Sequence, residues 1–289
     1  SKFDEIGTHD RGIRRSAMSR RSAQSVLQDV RDLLPRIAEQ AAEVDRTGAV
    51  SPDTVAALHE AGYFALLRPA EFGGLEADPE FHLTASRELA AACVSTGWLA
   101  VWMAASTWGL ALRSPQAQAD IWGTDPHALL CSSYSPSGQL QRVPGGYRVT
   151  GHWNRCIGAQ HASWLNAAGL LLGPDGAAQD FVAVLVPSSD YVVESTWNGL
   201  GLKGIGASDI AVSDVFVPEH RTCSWMDSHR YDNAAPLYRL PSPTLYTLAG
   251  SLPLLGAAQR VLRDASPQSG TDSRAALNPL AMAEADVDL

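Results

Sequence analysis

The spacing of apolar residues changes twice along the chain. Up to about residue 125 they recur every three or four positions, which is typical of amphipathic helices. From Ala128 to Pro218 they alternate with polar residues, which is typical of half-buried strands. The helical spacing returns at Leu245. The pattern therefore predicts a helical block, a block of short strands and a second helical block.

The first block contains several helix boundaries. Helical spacing runs from Ser22 to Arg46, where Pro35 predicts a kink. Ser51-Pro52 and Asp78-Pro79 each combine a capping side chain with proline at the first helical position, so each predicts a helix start. Glycines and a proline between Gly62 and Leu75 predict a loop there.

The run from Leu89 to Leu112 has no charged residue and is long enough to span a bilayer. Small hydroxyl residues interrupt it, and charged amphipathic segments flank it. We therefore predict two packed core helices that join near Ser95, in a soluble protein without a membrane segment.

A hairpin is predicted at the start of the strand block. A hydroxyl-rich loop, Ser132 to Gly138, precedes a strand to Val143, and Pro144-Gly145-Gly146 forms the turn into a strand that reaches Trp153-Asn154. Further strands are predicted over residues 163–172, 180–186, 191–195 and 209–217. Such short strands favour a small antiparallel barrel or sandwich.

After Pro218 the pattern predicts a polar loop to Arg239, a helix from Leu245 to Leu262 that tolerates Pro253, and a loop over residues 266–278. A last helix begins at Pro279 and reaches Leu289 without a capping signal. Its apolar face would have nothing to bury it, so we expect the chain to be a fragment, in preference to a partner covering that face.

Composition limits the function classes. The 289 residues are 45% hydrophobic, enough for one large or two ordinary domains, and the net charge of -9 argues against a nucleic-acid surface. Arginines near the start have no apolar segment after them, so they form no secretory signal. A disordered leader is favoured over a transit-like or nucleic-acid arm, with Met18 as the expected natural start.

The four cysteines, Cys93, Cys131, Cys156 and Cys223, are widely spaced and form no C-x-x-C pair. This spacing argues against a zinc site or a disulfide framework and favours a cytoplasmic protein. His152 and His161 are interpreted as structural, with no metal site. No hydrolase motif such as G-x-S-x-G or H-E-x-x-H occurs.

The candidate site lies at the hairpin. Its strands bring the hydroxyls of the Ser132–Gly138 loop and the Trp153 indole to one end of a sheet, which suits a flat conjugated ring with a polar edge. The alternative interpretation is that serine and glycine only form turns.

Particular segments resemble known proteins. Arg68 to Gly74, Leu200 to Gly206 and Val212 to Pro218 resemble motifs of the acyl-CoA dehydrogenase fold. Five more, in register, resemble the oxygenase components of two-component flavin monooxygenases, the group that includes p-hydroxyphenylacetate and secosteroid phenol hydroxylases: residues 93–98, 132–136, 145–147, 153–154 and 158–164. The likeness covers Ala23 to Leu289.

The resemblance implies an α+β fold with a central antiparallel β-barrel. The expected domains are a basic leader (residues 1–21), an N-terminal helical domain (22–126), the barrel (127–222) and a truncated C-terminal helical domain (235–289). A homodimer or homotetramer is implied if the last domain is complete.

The resemblance also implies the chemistry. A separate flavin reductase supplies reduced FMN or FAD, which reacts with O2 to give a C4a-hydroperoxide that oxidises a small aromatic or polycyclic substrate. Ser132, Ser133 and Ser135 would bind the flavin edge, while Trp153 and Asn154 flank it. The substrate wall would consist of Trp98, Trp102, Trp108 and Tyr134. Such a pocket must exclude water.

The chain departs from the phenol hydroxylases at two candidate catalytic positions. Where they carry a histidine before the barrel, this chain has the sequence Ala-Ser-Thr-Trp-Gly at residues 105–109. We expect Ser106 or Thr107 to contact the substrate instead. Where they place a serine near flavin N5, it has Cys156 beside Arg155.

Three other interpretations stay open. An acyl-CoA dehydrogenase needs a carboxylate base, and no Asp or Glu lies between Asp232 and Asp264. A relative that oxidises an amine to a nitroso group would not need the phenol-directed histidine. A non-catalytic scaffold with this fold is the third.

Overall fold

A computed structural model describes residues 21–194, 196–224 and 235–265 of the chain, without the side chains of residues 242 and 243. The predicted loop over residues 266–278, the predicted helix from Pro279 and the leader before Arg21 lie outside the described residues.

Helices form the first part of the molecule: α1 (Ala23–Thr47), α2 (Pro52–Glu60), α3 (Pro79–Ala92), α4 (Val94–Ala111) and α5 (Pro115–Trp122). The helix starts predicted at Pro52 and Pro79 are confirmed, because the Ser51 hydroxyl accepts from the backbone N–H of Thr54 and the Asp78 carboxylate accepts from that of Glu80. Helix α1 continues through Pro35.

The uncharged run covers the end of α3 and the whole of α4, so the two predicted helices are confirmed, but they join at Cys93 and not near Ser95. They pack closely because Gly97 has no side chain: a Cβ there would lie 2.5 Å from the Ala90 backbone. Within the ranges given above, no helix combines the length and apolar character needed to cross a membrane.

In the described ranges seven strands form one sheet: β1 (Leu130–Val143), β2 (Gly146–Cys156), β3 (Trp164–Leu172), β4 (Ala178–Pro187), β5 (Val192–Glu194), β6 (Ser208–Pro218) and β7 (Thr222–Ser224). Their order is β5-β6-β2-β1-β3-β4-β7, so the sheet is open, with β5 and β7 at its edges. The α+β prediction is confirmed, but the closed antiparallel barrel is wrong. β1 pairs in parallel with β3, while the other pairs are antiparallel.

The alternation of apolar and polar residues could not predict this topology. It indicates which side chains are buried, but not which strands are neighbours or whether neighbouring strands run parallel. The sheet nevertheless encloses its own apolar cluster. Strands β6 and β4, which are far apart in the order, both supply residues to it, namely Ile210 and Val184, so the sheet is curled.

The segment predicted as a hydroxyl-rich loop is part of β1. Ser132 and Ser133 pair with Asn166 and Ala167 of β3, and the β1–β3 register then breaks before Gly138. The chain is therefore extended at the serines because neighbouring strands hold it there. After the sheet, α6 (Ser242–Ala265) contains Pro253, as predicted, and packs against α3 and α4.

Candidate functional site

The candidate site lies where α4, β1, β3 and α6 meet. A hydroxyl pair joins α4 to β1: Ser106 Oγ lies 2.9 Å from Ser132 Oγ and 2.9 Å from the Trp102 carbonyl oxygen. Ser106 is buried and Ser132 is partly exposed. The pair therefore fixes one end of β1 against the helix, next to the predicted flavin-binding serines.

A chain of polar side chains crosses the same junction. The Arg113 guanidinium donates to Asn166 Oδ1 at 3.0 Å, and Asn166 Nδ2 donates to the Tyr134 hydroxyl at 3.0 Å. The Tyr134 and Tyr246 hydroxyls are 2.7 Å apart. Arg113 and Asn166 are buried, whereas Tyr134 and Tyr246 are partly exposed. These four residues, hereafter the tyrosine relay, connect the protein interior with the junction.

Both phenols of the tyrosine relay stay protonated at neutral pH. Burial raises the pKa of Tyr134, although Arg113 and the hydrogen bonds from its neighbours oppose the rise. Burial and the adjacent Tyr134 raise the pKa of Tyr246 well above its ordinary value. Each hydroxyl is therefore a hydrogen-bond donor and acceptor, not a base.

Aromatic rings surround Tyr246. Its ring is stacked with that of Trp102 at a centroid distance of 6.2 Å, and Trp108 meets it edge-on at 6.0 Å. Trp98 lies beyond Trp102, with ring centroids 6.4 Å apart. Trp98 and Trp102 are partly exposed, and their indole N–H groups have no partner in the described structure. An unpaired buried donor is costly, so these two N–H groups suit a ligand with acceptor atoms.

Trp108, in contrast, belongs to the core. Its side chain is fully buried and its indole N–H donates to the Leu237 carbonyl at 3.4 Å. Thr107 is also fully buried, and its hydroxyl donates to the Met103 carbonyl at 2.9 Å. These two residues therefore lie inside the protein, and of the two predicted hydroxyls it is that of Ser106 that bonds β1.

The predicted flavin-binding serines lie at and next to a break in the pairing of β1 with its neighbouring strands. Residues 134–137 fall outside both strand pairings, since the β1–β2 ladder begins only at Gly138. Ser133 is partly exposed, and the exposed Ser135 hydroxyl is 2.8 Å from that of Ser137. A flavin edge carries several hydrogen-bond acceptors, so this group of hydroxyl and backbone donors fits it.

Two other predicted site residues point into the sheet. Trp153 is fully buried, and its indole N–H donates to the Ala168 carbonyl at 2.7 Å. Glycines make room for its ring, because a Cβ on Gly138 or Gly151 would lie 2.4 Å or 2.6 Å from it. Cys156 is fully buried as well, and burial raises the pKa of its thiol to about 12. Both side chains therefore pack inside the sheet, whereas Asn154 is exposed.

Sequence reasoning missed Arg113, Asn166 and Tyr246. Of the three, Asn166 could have been found from the sequence, because it is a polar residue inside an otherwise apolar strand. The structure shows that it is fully buried. Tyr246 and Arg113 are far apart in sequence and meet only in the folded chain. No group of His, Cys, Asp or Glu in the described ranges could hold a metal ion.

Comparisons with known proteins place this geometry in a family. Residues 21–122 match the model of the acyl-CoA dehydrogenase N-terminal domain. The chain is 39% identical over 249 residues to the flavin-dependent monooxygenase oxygenase subunit HsaA of Mycobacterium tuberculosis, covering 84% of this chain and 63% of that protein. It is 39% identical over 200 residues to the oxygenase component of the FADH2-dependent resorcinol hydroxylase of a Rhizobium species, covering 69% of this chain and 48% of that protein.

The crystal structure of HsaA from M. tuberculosis superimposes with a TM-score of 0.87 at 36% identity, over 93% of this chain and 74% of that one. The chain spans less than two thirds of the length of the curated relatives named above. The fold described above, with its helices and open curled sheet, and the sequence identity support the same family assignment. The chain belongs to the flavin-dependent monooxygenase oxygenase subunits that share the acyl-CoA dehydrogenase fold.

Proposed function

We propose that this chain is the oxygenase component of a two-component flavin-dependent monooxygenase that oxidises a small aromatic or polycyclic substrate. The likeness to the HsaA oxygenase subunit, 39% over 249 residues, carries the proposal. The resorcinol hydroxylase component, whose name specifies a phenol, supports an aromatic substrate. A separate reductase would supply reduced FMN or FAD, and O2 is the second substrate.

The serines of β1 have the flavin-binding role in this proposal. Ser132, Ser133 and Ser135, with the backbone of residues 134–137, present donors to the polar edge of the ring. When bound, reduced flavin supplies the electrons that activate O2 for insertion of one oxygen atom into the substrate. Asn154 contributes from the exposed side of β2, and Trp153 and Cys156 hold the sheet from inside.

The substrate would lie against Trp98, Trp102 and Tyr134. Their rings exclude water from the reacting centre, which strengthens each polar contact made there. Ser106 holds Ser132 in place and is a polar group of α4 beside this region. Thr107 and Trp108 support the wall from behind.

The site would thus lie between the helical domain of residues 22–126 and the sheet domain of residues 127–222, with further helices from residue 235. A cytoplasmic location and a homodimeric or homotetrameric assembly complete the proposal.

Anaerobic titration tests it directly. Reduced FMN and reduced FAD are added to the protein without O2, and flavin fluorescence and absorbance report binding. After O2 is admitted, a transient absorbance near roughly 380 nm is expected, because an oxygenated reduced flavin absorbs there.

A double variant, Ser132→Ala with Ser133→Ala, should weaken binding about tenfold, since two hydrogen bonds are lost. Ser189→Ala is the matched control, because this exposed serine lies in a turn away from the site and its hydroxyl bonds its neighbour Asp190. If neither reduced flavin binds the protein, or if the double variant binds flavin like the wild type, the proposal is wrong.

A further inference from the structure

Strand β1 contains a bulge of four residues, 134–137, hereafter the β1 bulge. In the register with β3, pairing stops at Ser133 and resumes at Gly138, while β3 advances only from Ala167 to Gly169. The ladder with β2 also begins only at Gly138, so the bulge falls outside both strand pairings of β1. Bulges are common beside functional sites, because they turn backbone and side chains away from the regular sheet.

Trp153 lies in the space that the β1 bulge leaves inside the sheet. Its side chain comes from β2, is fully buried, and donates its indole N–H to the Ala168 carbonyl at 2.7 Å. Ala168 is the residue of β3 that the bulge skips, and β1 lies between β2 and β3 in the sheet. The indole therefore crosses beneath β1 and gives that carbonyl a donor where β1 supplies no paired residue.

Glycines let the indole cross. A Cβ on Gly138 would lie 2.4 Å from the Trp153 ring, and a Cβ on Gly151 would lie 2.6 Å from it. The ring thus occupies the inner side of the sheet at the point where β1 rejoins its neighbours. The bulge lies on the opposite, outer side, where Ser135 and Ser137 are exposed and their hydroxyls are 2.8 Å apart.

Tyr134 holds the other end of the β1 bulge. Its hydroxyl accepts a hydrogen bond from Asn166 Nδ2 at 3.0 Å and lies 2.7 Å from the Tyr246 hydroxyl. Asn166 pairs with Ser132 just before the bulge, and its amide oxygen accepts from Arg113. The first residue of the bulge is therefore tied back to β3 and α6, whichever of the two phenols donates to the other.

We propose that Trp153 and Tyr134 are positioning residues of the flavin site, which hold the β1 bulge in the form that presents the hydroxyl and backbone N–H groups of Ser135 and Ser137 to the polar edge of the ring. The inference rests on the proposed function and adds a role for Trp153 that acts through β1. Donors that are fixed before binding lose less conformational entropy when the ligand arrives, so a fixed bulge increases affinity.

Sulfur analogues of FMN and FAD test the inference. In their 2-thio and 4-thio forms, sulfur, which is a weak hydrogen-bond acceptor, replaces one carbonyl oxygen of the polar edge. The dissociation constants of the reduced flavins are measured by anaerobic equilibrium dialysis. Wild-type protein should bind at least one thio form about fivefold more weakly than its parent flavin, because a hydrogen bond from the bulge is weakened.

Trp153→Phe keeps an apolar ring beneath the bulge but removes the donor to Ala168. It should weaken binding of the parent flavin about fivefold and change binding of that thio form less than twofold, so that the preference is largely lost. A loss of stability alone would weaken both equally. Trp122→Phe is the matched control, because this buried indole on α5 has no N–H partner in the described structure, and it should keep the preference.

Tyr134→Phe removes the hydroxyl that accepts from Asn166, so it should reduce the preference by a smaller factor, and it provides the test if Trp153→Phe does not fold. Tyr63→Phe is its control, since the buried Tyr63 hydroxyl bonds Ser86 in the helical layer.

Two results would overturn the inference and leave the proposed function standing. One is equal affinity of wild-type protein for the parent flavin and both thio forms. The other is an unchanged preference in Trp153→Phe, or in Tyr134→Phe if the first variant does not fold. Failure of both reduced FMN and reduced FAD to bind wild-type protein would overturn the proposed function and the inference with it.

Discussion

Trp153 in the sheet and Trp102 on α4 are both tryptophans next to the candidate site, but their surroundings differ. Trp153 is fully buried, and its N–H is bonded to Ala168. Trp102 is partly exposed, and its N–H has no partner in the described structure. The comparison shows that a satisfied indole in a fitted space supports the fold, whereas an indole at a boundary with a free donor is suited to a ligand.

The largest expected effect is on Trp153. Trp153→Ala should lower the free energy of unfolding by about 3–5 kcal/mol, because it empties a closely packed space and leaves the Ala168 carbonyl without its donor. Urea denaturation measures it. Trp102→Ala is the comparison variant and should cost less stability but weaken aromatic ligand binding. Equal losses of stability in the two variants would remove the distinction between the two regions.

His82 differs from Trp98 and Trp102 in that its whole side chain is enclosed, whereas those two residues are partly exposed. Both ring nitrogens lack partners in the described structure, but the side chain has no exposed surface, so it is expected to affect stability and not binding. Burial lowers its pKa from 6.5 to about 4. Below pH 6.5 the unfolded chain therefore binds a proton that the folded protein does not, so stability falls as the pH is lowered towards 4.

This contribution should amount to about 3 kcal/mol between those two pH values. It is measured as the difference in urea unfolding between wild type and His82→Leu at each pH. The His82→Leu variant should show a shallower acid destabilisation and unchanged affinity for reduced flavin. An identical pH dependence in both proteins would show that His82 is charged in the folded state.

The third prediction tests the fit around Trp153. Gly138→Ala should lower the free energy of unfolding by about 1–3 kcal/mol, because the new Cβ would lie 2.4 Å from the indole ring. Gly201→Ala is the control, since nothing lies within 4 Å of a Cβ there. Thermal unfolding of the two variants compares them. A Gly138 variant as stable as the control would mean that the indole moves freely inside the sheet.

The smallest expected effect is on the hydroxyl pair between α4 and β1. Ser106→Ala should lower the free energy of unfolding by about 1 kcal/mol and also weaken reduced-flavin binding, because Ser132 loses its partner. Ser251→Ala is matched to it: this exposed serine bonds the carbonyl four residues earlier in its helix, as Ser106 does, but lies on α6. Only the Ser106 variant should change flavin affinity.

Local signals predicted much of the helical layer. Capping residues followed by proline predicted the starts of α2 and α3, and the uncharged run was divided correctly into α3 and α4. These features depend on residues close in sequence, so the sequence contains the information needed. The family resemblance, resting on short motifs, is confirmed by the HsaA relatives.

Long-range pairing decided the rest. The parallel contact of β1 with β3 turned a predicted loop into strand. The sheet is open because its edge strands, β5 and β7, do not pair with each other. The same folding turned Trp153 inward, where glycines of two strands make its space.

The sequence by itself determined the helices of the first block, most of the strands, and the family to which its motifs belong, because those properties depend on residues close together in the chain. Only the tertiary structure brought Arg113, Asn166, Tyr134 and Tyr246 together. Their hydrogen bonds join helix and sheet residues that are distant in sequence. Their proximity follows from packing, which no local pattern records.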